Sequence, residues 1–532
     1  MSRQEISRRV DGIRIPLGAG PDALDRAVFA LYGSRTAYHV LRRSVDARVK
    51  TRICFVYSVG TGLAPVPVGL SPLLADAPSF ALRAVGGDPL VRPVVVGTGP
   101  AGMFAGLSLA MAGRRPILLE QGKDVDTRAQ DVARFFAGGS LDPTSNVQFG
   151  EGGAGTFSDG KLTTGIRDPR VAAVLQELVL AGAPDEILWS SRPHVGTDRL
   201  HGVVRNIRSK IEALGGEYRF GHRFCGAGLE AERLRTVRVQ LTDSGSEYEM
   251  ECRQLVLAVG HSARQTLRLL AELGFAMEPK PFSVGVRIEH PQRWIDQAQY
   301  GSAAGHPDLP PAEYKLSCHL ASGRSVYTFC MCPGGVVVAA SSTPDGIVTN
   351  GMSSFLRDGP NANSALLVAV TSADYPDGSA LGGIAYQEKI ERDAWRLAGG
   401  SHLAPSVRAG VMLGHSSAAP HETPVQRPEP SYRPGVVAIA PDTYLPGYVV
   451  DAMREALPLF GRKIRGFDHP DALLTGPETR SSSPVRLLRG ADGQASVSGV
   501  YPCGEGAGYA GGIVSSAVDG IRTVQAMLHE NI

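Results

Sequence analysis

A chain of 532 residues exceeds one compact core, and at about 150 residues per domain it divides into roughly three or four units. Its composition, 43% hydrophobic and 20% charged, excludes a disordered or collagen-like chain; 64 Gly and 37 Pro, about a fifth of all residues without a triplet period, point to many tight turns and close backbone approaches. Lys plus Arg (54) against Asp plus Glu (52) leaves +2 with both signs interspersed, so nucleic acid is not an expected partner and Arg42, Arg43, Arg48, Lys50 and Arg52 read as a solvated face.

The first residues, Met-Ser-Arg-Gln-Glu-Ile-Ser-Arg-Arg-Val-Asp, carry no apolar stretch behind their arginines. No run approaches the ~18 apolar residues that cross a bilayer, so a cytoplasmic protein without a membrane partner is expected. Residues 11–60 predict a small α/β unit: a strand at Ile13–Pro16, an amphipathic helix over Asp22–Leu31, and strands over Ala37–Arg48 and Arg52–Ser58. The Pro- and Gly-rich stretch 61–93 reads as a linker or packed arm.

The pattern changes at Val94. Three valines run into Gly97-Thr-Gly99-Pro100-Ala101-Gly102, followed by a small-residue helix over Met103–Ala112 and a second strand, Pro116–Glu120. This is the pattern of a dinucleotide-binding turn. Gly97 permits the tight turn, Gly99 lets backbone N–H groups approach a pyrophosphate, and Gly102 lets helix and strand pack closely. The positive helix N-terminus faces the phosphates, and Glu120 stands where an acid accepts the hydroxyls of an adenosine ribose. A second glycine cluster, Phe149-Gly-Glu-Gly-Gly153-Ala-Gly155-Thr-Phe-Ser-Asp-Gly160-Lys161-Leu, has neither a preceding strand nor a Gly-Lys-Ser/Thr, and suits a loop whose bare backbone lies along a cofactor. A helix over Leu200–Leu214, a strand at Glu217–Phe220, short strands across 223–252 and a buried strand ending at Gly260 follow. Near the C-terminus a strand from Gly499 turns at Gly504, Glu505, Gly506 and Gly508, and a helix begins after Gly511-Gly512-Ile513, providing a second phosphate- or polyol-facing helix terminus.

Seven cysteines do not make a disulfide framework, and no ligand spacing predicts a metal. Cys330 and Cys332, the one close pair, fall on one face of a predicted strand, which suits packing better than redox chemistry.

In this order the glycine turns, strands and acids resemble the FAD-binding domain of the glutathione-reductase-like flavoproteins with two dinucleotide-binding domains. The motifs Phe149–Leu162, Phe282-Ser-Val-Gly-Val-Arg-Ile-Glu-His-Pro-Gln, Gly476-Pro-Glu-Thr-Arg480-Ser-Ser-Ser-Pro-Val-Arg and Pro502-Cys-Gly-Glu-Gly-Ala-Gly-Tyr509-Ala-Gly-Gly resemble a narrower group, the little-characterised NAD(P)/FAD-dependent oxidoreductases or FAD-dependent dehydrogenases. The resemblance implies an α/β fold: a discontinuous Rossmann-type FAD-binding domain, an inserted mixed α+β cap or substrate domain, and the small N-terminal unit. The expected boundaries are 1–60 for the N-terminal unit and 61–93 for the linker, then 94–165, 200–270 and 436–532 for the FAD-binding parts, with 166–199 and 271–435 for the cap. It implies FAD contacts from Gly97, Gly99, Pro100, Ala101, Gly102, Glu120, Gln121, Gly153, Gly155, Phe224, Gly260, Gly504, Glu505, Gly512 and Ile513. Glu505 stands where the superfamily usually has Asp, against the ribityl-phosphate region.

The function expected is an FAD-dependent oxidoreductase moving a hydride or electron pair to or from a small organic substrate. Lys161 and Arg480 are candidate cations for a reduced flavin or a substrate carboxylate, and His261 and Tyr509 candidate proton donors or acceptors. No second strand–glycine turn–helix unit follows, so NAD(P)H would visit only transiently. A monooxygenase is the alternative, though Asp492-Gly493 comes late for the motif such enzymes carry. A non-catalytic flavin sensor or assembly protein is a further alternative. The interval from Cys54 to Cys225 is free of cysteine, which argues against a disulfide reductase with its redox pair after the first FAD strands.

Overall fold

A computed structural model of the chain describes residues 8–33, 37–61, 91–414 and 427–529. Most of the expected linker, 62–90, lies outside the described residues. Among the described residues no helix is long and apolar enough to cross a membrane.

The organising element is a five-stranded sheet in the order Val500–Pro502, Leu255–Leu257, Val94–Val96, Ile117–Glu120, Glu217–Phe220. All its pairings are parallel. Both faces are covered, which is why the inner strands Val94–Val96 and Leu255–Leu257 read as unbroken apolar runs. Val95, Leu118, Val256 and Tyr501 point to one side, into a core shared with the helices Pro100–Met111, Arg170–Leu180, Thr197–Ala213 and Ile513–His529. Val94, Val96, Ile117, Leu119, Leu255 and Leu257 point to the other, where a three-stranded antiparallel meander (His222–Glu230, Arg233–Leu241, Glu247–Glu251) closes the layer. The helix Pro100–Met111 is buried along ten consecutive residues, Ala101–Ala110, because the sheet and the helix Ile513–His529 enclose it. Only small residues allow this: a Cβ on Gly520 would stand 2.2 Å from the Ala101 carbonyl oxygen, and one on Gly106 2.6 Å from Leu118.

A seven-stranded sheet forms the second unit, in the order Ser317–His319, Ser325–Cys332, Asn361–Val370, Phe282–Pro291, Leu473–Glu478, Ala404–Arg408, Val436–Ala438. Its central strand Phe282–Pro291 is buried at every residue, and the helix Gly447–Lys463 packs across the sheet within one large apolar core. Two expected boundaries move. Residues 436–478 were assigned to the FAD-binding part, but their strands pair into this second sheet. Residues 166–199 were assigned to the cap, but Ala173, Val174, Leu178 and Ile187 bury against the parallel-sheet core. In both segments pairing and burial, not sequence order, decide membership.

The N-terminal unit is a three-stranded antiparallel sheet, Arg8–Pro16, Cys54–Thr61, Tyr38–Asp46 in spatial order, covered by the helix Ala23–Tyr32. Main-chain bonds join it to the remainder: Arg43 N–H donates to Trp189 O at 2.8 Å, and Ser191 N–H to Arg43 O at 2.9 Å.

Candidate functional site

One cavity of about 560 Å³ runs from the carboxyl ends of the parallel strands to the edge of the second sheet. It lies where ligands bind in doubly wound folds and at a domain junction. The three glycine clusters, at 97–102, 150–160 and 504–512, meet here by contact. Gly97 sits at φ +92°, where a Cβ would stand 2.4 Å from Ala258 O, so the first turn tolerates only glycine. A Cβ on Gly102 would reach 1.8 Å from Gly97 O, so the helix packs close beneath the turn. Gly153 touches Gly99 (2.9 Å from its Cα to a built Cβ), Gly155 faces Ile513 (3.2 Å), and Gly504 abuts Ala101 (2.6 Å).

Of the expected cofactor residues, Gly97, Gly99, Pro100, Ala101, Glu120, Gln121, Gly153, Gly155, Phe224, Gly260, Glu505, Gly512 and Ile513 line the cavity; Gly102 and Gly504 lie beneath its wall. Fit to a dinucleotide rests on the wall itself. Gly99 at a helix N-cap has only Gly153 within 4 Å of a built Cβ, and Gly511 has nothing, so their bareness serves the open space and not protein packing. Phe224, His222 and Arg223, neighbours on one strand, also line the cavity as an aromatic and cationic group suited to a base.

Glu120 departs from its expected role. Its Oε2 accepts from Thr98 N (3.1 Å) and Thr98 Oγ1 (2.7 Å), and its Oε1 from Gly122 N (3.0 Å) and Gly150 N (3.1 Å). Four donors fill the acceptor capacity of one carboxylate. Glu120 therefore ties the first glycine turn to the second loop, and a ribose hydroxyl would reach it only by displacing one donor; Gln121 lies beside it on the wall.

The second loop has an anchor that the sequence reading did not identify. Arg128, fully buried on the helix Val125–Phe136, donates to the carbonyls of Asn146 (2.8 Å), Val147 (3.0 Å), Gly150 (3.3 Å), Glu151 (2.6 Å) and Gly153 (3.0 Å). Burial lowers its pKa to about 10, and it stays charged at neutral pH. By gathering the carbonyls inward it stops them from facing an anionic ligand. Nothing in the spacing of Arg128 from the loop signals this; it needs the helix and loop side by side.

The cavity wall collects charge from both units. Asp159 holds Arg357 in a two-bond clasp (3.0 and 2.6 Å) and lies 2.9 Å from Lys161 Nζ; Glu313 Oε1 stands 3.8 Å from the same Nζ. Burial would raise the Asp159 pKa, but Lys161 and Arg357 hold it down at about 2. Burial works against the Lys161 charge, yet Asp159 and Glu313 raise its pKa. Arg480 and Arg264 both pair with Glu391, Arg480 at 3.1 and 2.7 Å and Arg264 at 2.7 Å twice. One buried carboxylate thus serves two guanidiniums, and Arg480 presents the surplus to the cavity.

His261 lies on the wall with Nδ1 3.6 Å from Glu505 Oε1 and its buried Nε2 without a hydrogen-bond partner. Burial, with Arg480 and Arg264 nearby, pushes its pKa down to about 3, which leaves a neutral imidazole. Burial raises Glu505 to about 7 against the pull of Lys280. Tyr509, the other expected proton donor or acceptor, is not on the wall; it lies under Arg489, 3.8 Å from its ring centroid, because the backbone turns at Gly508 (φ +86°).

Residues 281–481 match the family described as FAD-dependent protein, C-terminal domain-like, which spans the second sheet. A protein of Clostridium beijerinckii, itself described as uncharacterized, is 44% identical over 500 residues, covering 92% of each chain. Among solved structures, the flavin-dependent brominase Bmp2 aligns over 82% of this chain and 80% of its own at 12% identity (TM-score 0.38), and the glycerol-3-phosphate dehydrogenase of Bacillus halodurans complexed with FAD over 83% and 64% at 11% identity (TM-score 0.35). Both are distant. The parallel sheet with its convergent glycine turns and the match along nearly the whole clostridial chain lead to one assignment: this chain belongs to that little-characterised family of FAD-dependent proteins.

Proposed function

We propose that the protein is an FAD-dependent oxidoreductase that passes a hydride or electron pair between the flavin and a small organic anion. When bound, FAD supplies the electron chemistry, and the protein supplies position and field. The observation that carries the reading is that two cations from different units, Lys161 and Arg480, stand on the cavity wall, and that Arg480 shares the Glu391 carboxylate with Arg264. Buried cations of this kind favour negative charge, whether a substrate carboxylate or charge developing on the reduced cofactor. Neutral His261, its Nε2 free, is suited to donate or accept one hydrogen bond there, and Glu505 to hold a proton near neutrality.

A nicotinamide dinucleotide is assigned a transient role, since among the described residues one parallel sheet carries one glycine-turn fingerprint. The test is the visible flavin spectrum of the purified chain, followed by anaerobic mixing with NADH, NADPH and a panel of small carboxylic acids. Bleaching by an acid or a nicotinamide, with turnover when both are present, is expected. A chain that takes up FAD but is bleached by no member of the panel would overturn the substrate class; one that takes up none would overturn the cofactor site.

A further inference from the structure

Cys330 on the cavity wall and Cys332 behind it take no part in the function proposed above. The strand Ser325–Cys332 pairs regularly with Asn361–Val370 as far as Phe329↔Ala365, and then resumes at Cys332↔Asn363. Three residues advance on one strand against two on the other, so a bulge lies between. Cys330 sits in it at φ +43°, a region uncommon for any residue but glycine. The alternation expected of this strand fails here, and the two cysteines do not simply share a packing face. Cys330 lines the cavity, whereas Cys332 is fully buried behind it.

In a regular strand, residues two apart are about 6.6 Å from each other, at the long end of what a disulfide spans. The bulge folds the second thiol back: Cys332 Sγ donates to the Cys330 carbonyl at 3.3 Å. Their surroundings are unequal. Cys332, followed by Arg287 and Lys161, lowers the pKa of the Cys330 thiol, while Cys330 and burial raise that of Cys332. Arg287 lies behind the pair, 3.9 Å from Cys332 Sγ, fixed by a two-bond pair with Glu478 (2.7 Å each). One thiol on the cavity wall and one protected thiol beside it is the division of labour of a dithiol that opens and closes.

We propose that Cys330 and Cys332 are a redox-active dithiol–disulfide pair on the cavity wall, with Cys330 as the thiol that faces the flavin. The proposal rests on the reading that FAD occupies this cavity. Forming the Sγ–Sγ bond breaks two S–H bonds and releases two electrons and two protons. The electron pair and one proton pass to the oxidised isoalloxazine, and the second proton leaves to solvent; in reverse, the reduced isoalloxazine opens the disulfide. This pair comes from the second sheet, not from the interval after the first FAD strands where the sequence offered none.

Two measurements on the full chain test it. In the FAD-free protein, diamide oxidation followed by unfolding and alkylation with iodoacetamide should lower the alkylated thiols from seven to five, with both losses in the peptide holding Cys330 and Cys332. Seven alkylated thiols, or losses elsewhere, would overturn the pair, and this arm needs no variant to fold. In the FAD-bound protein, anaerobic dithionite titration of the pre-oxidised chain should consume two electron pairs per flavin, falling to one in Cys330→Ser and Cys332→Ser. One pair per flavin in the unsubstituted chain would overturn the electron exchange. Failure of the cavity reading shows separately, as an absent flavin spectrum with the thiol count unaffected.

Discussion

Arg128 illustrates how one side chain can govern a loop that it barely adjoins in sequence. Its guanidinium serves five main-chain carbonyls, and a shorter ammonium cannot reach them as a planar fork. Arg128→Met would leave buried carbonyls unpaired at about 1–3 kcal/mol each before relaxation, so a net loss of about 3 kcal/mol in denaturant unfolding is expected, with flavin retention in gel filtration falling about tenfold. Glu505 offers a pH signature. Its pKa in the folded chain, about 7, lies above the ordinary carboxyl value of 4.5, so the folded state holds a proton that the unfolded state releases. Stability from this group is present below about pH 4.5 and is lost as pH rises through 7. In the FAD-free protein, Glu505→Gln should therefore match the unsubstituted chain at pH 4.5 and exceed it above pH 7, by on the order of 1–3 kcal/mol in thermal or denaturant melts. An advantage that shrank with rising pH would refute the assignment.

At the level of elements, the first glycine turn separates folding from binding within six residues. A Cβ at Gly102 collides with the Gly97 carbonyl at 1.8 Å, whereas one at Gly99 meets only Gly153, at 3.8 Å. Gly102→Ala should destabilise the whole parallel-sheet unit, visible as a lower melting temperature with or without FAD. Gly99→Val should retain the melting temperature of the FAD-free chain and lose flavin, because its branches fill space and not protein. Equal flavin content in Gly99→Val and the unsubstituted chain would displace the pyrophosphate from this turn. The strand motifs quoted for Phe282–Gln292 and Gly476–Arg486 make a related point. They sit on neighbouring strands, where Arg287 and Glu478 form a buried pair beside the cavity. A charged residue in a strand buried at every position is placed there by its partner.

Across the whole molecule, the two sheets are held together by charge. Glu391, on the helix Gly382–Leu397, clasps Arg264 at the start of the helix Arg264–Glu272 and Arg480 just past the strand Leu473–Glu478. Asp159 and Arg357 make a second clasp between the glycine loop and the second unit. Removing the shared carboxylate strands two buried guanidiniums, and breaking such pairs costs about 3–5 kcal/mol. Glu391→Gln should lower the melting temperature and weaken FAD binding together, with saturating FAD recovering part of the loss through linkage. A variant that lost stability but kept FAD affinity would place this cluster outside the site.

The parallel-sheet unit was legible in the chain because its signals are local. A strand running into Gly97, Gly99 and Gly102 is recognised within ten residues, and the buried strands betray themselves as valine and leucine runs. The N-terminal unit was legible for the same reason, its helix and strands falling within a few residues of expectation. What required the tertiary structure depended on partners far away in sequence: that 436–478 pairs into the second sheet, that Glu120 is saturated by Thr98, Gly122 and Gly150, and that Tyr509 turns away from the wall. Lys161 and Arg480 were identifiable as cations, and Asp159 stands two residues from Lys161, but Glu313 and Glu391 reach them from other elements. The sequence by itself determined a dinucleotide cradle, through backbone that must be bare. Only the fold decided which charges face it, because a side chain's electrostatic surroundings are set by contacts across the chain and not along it.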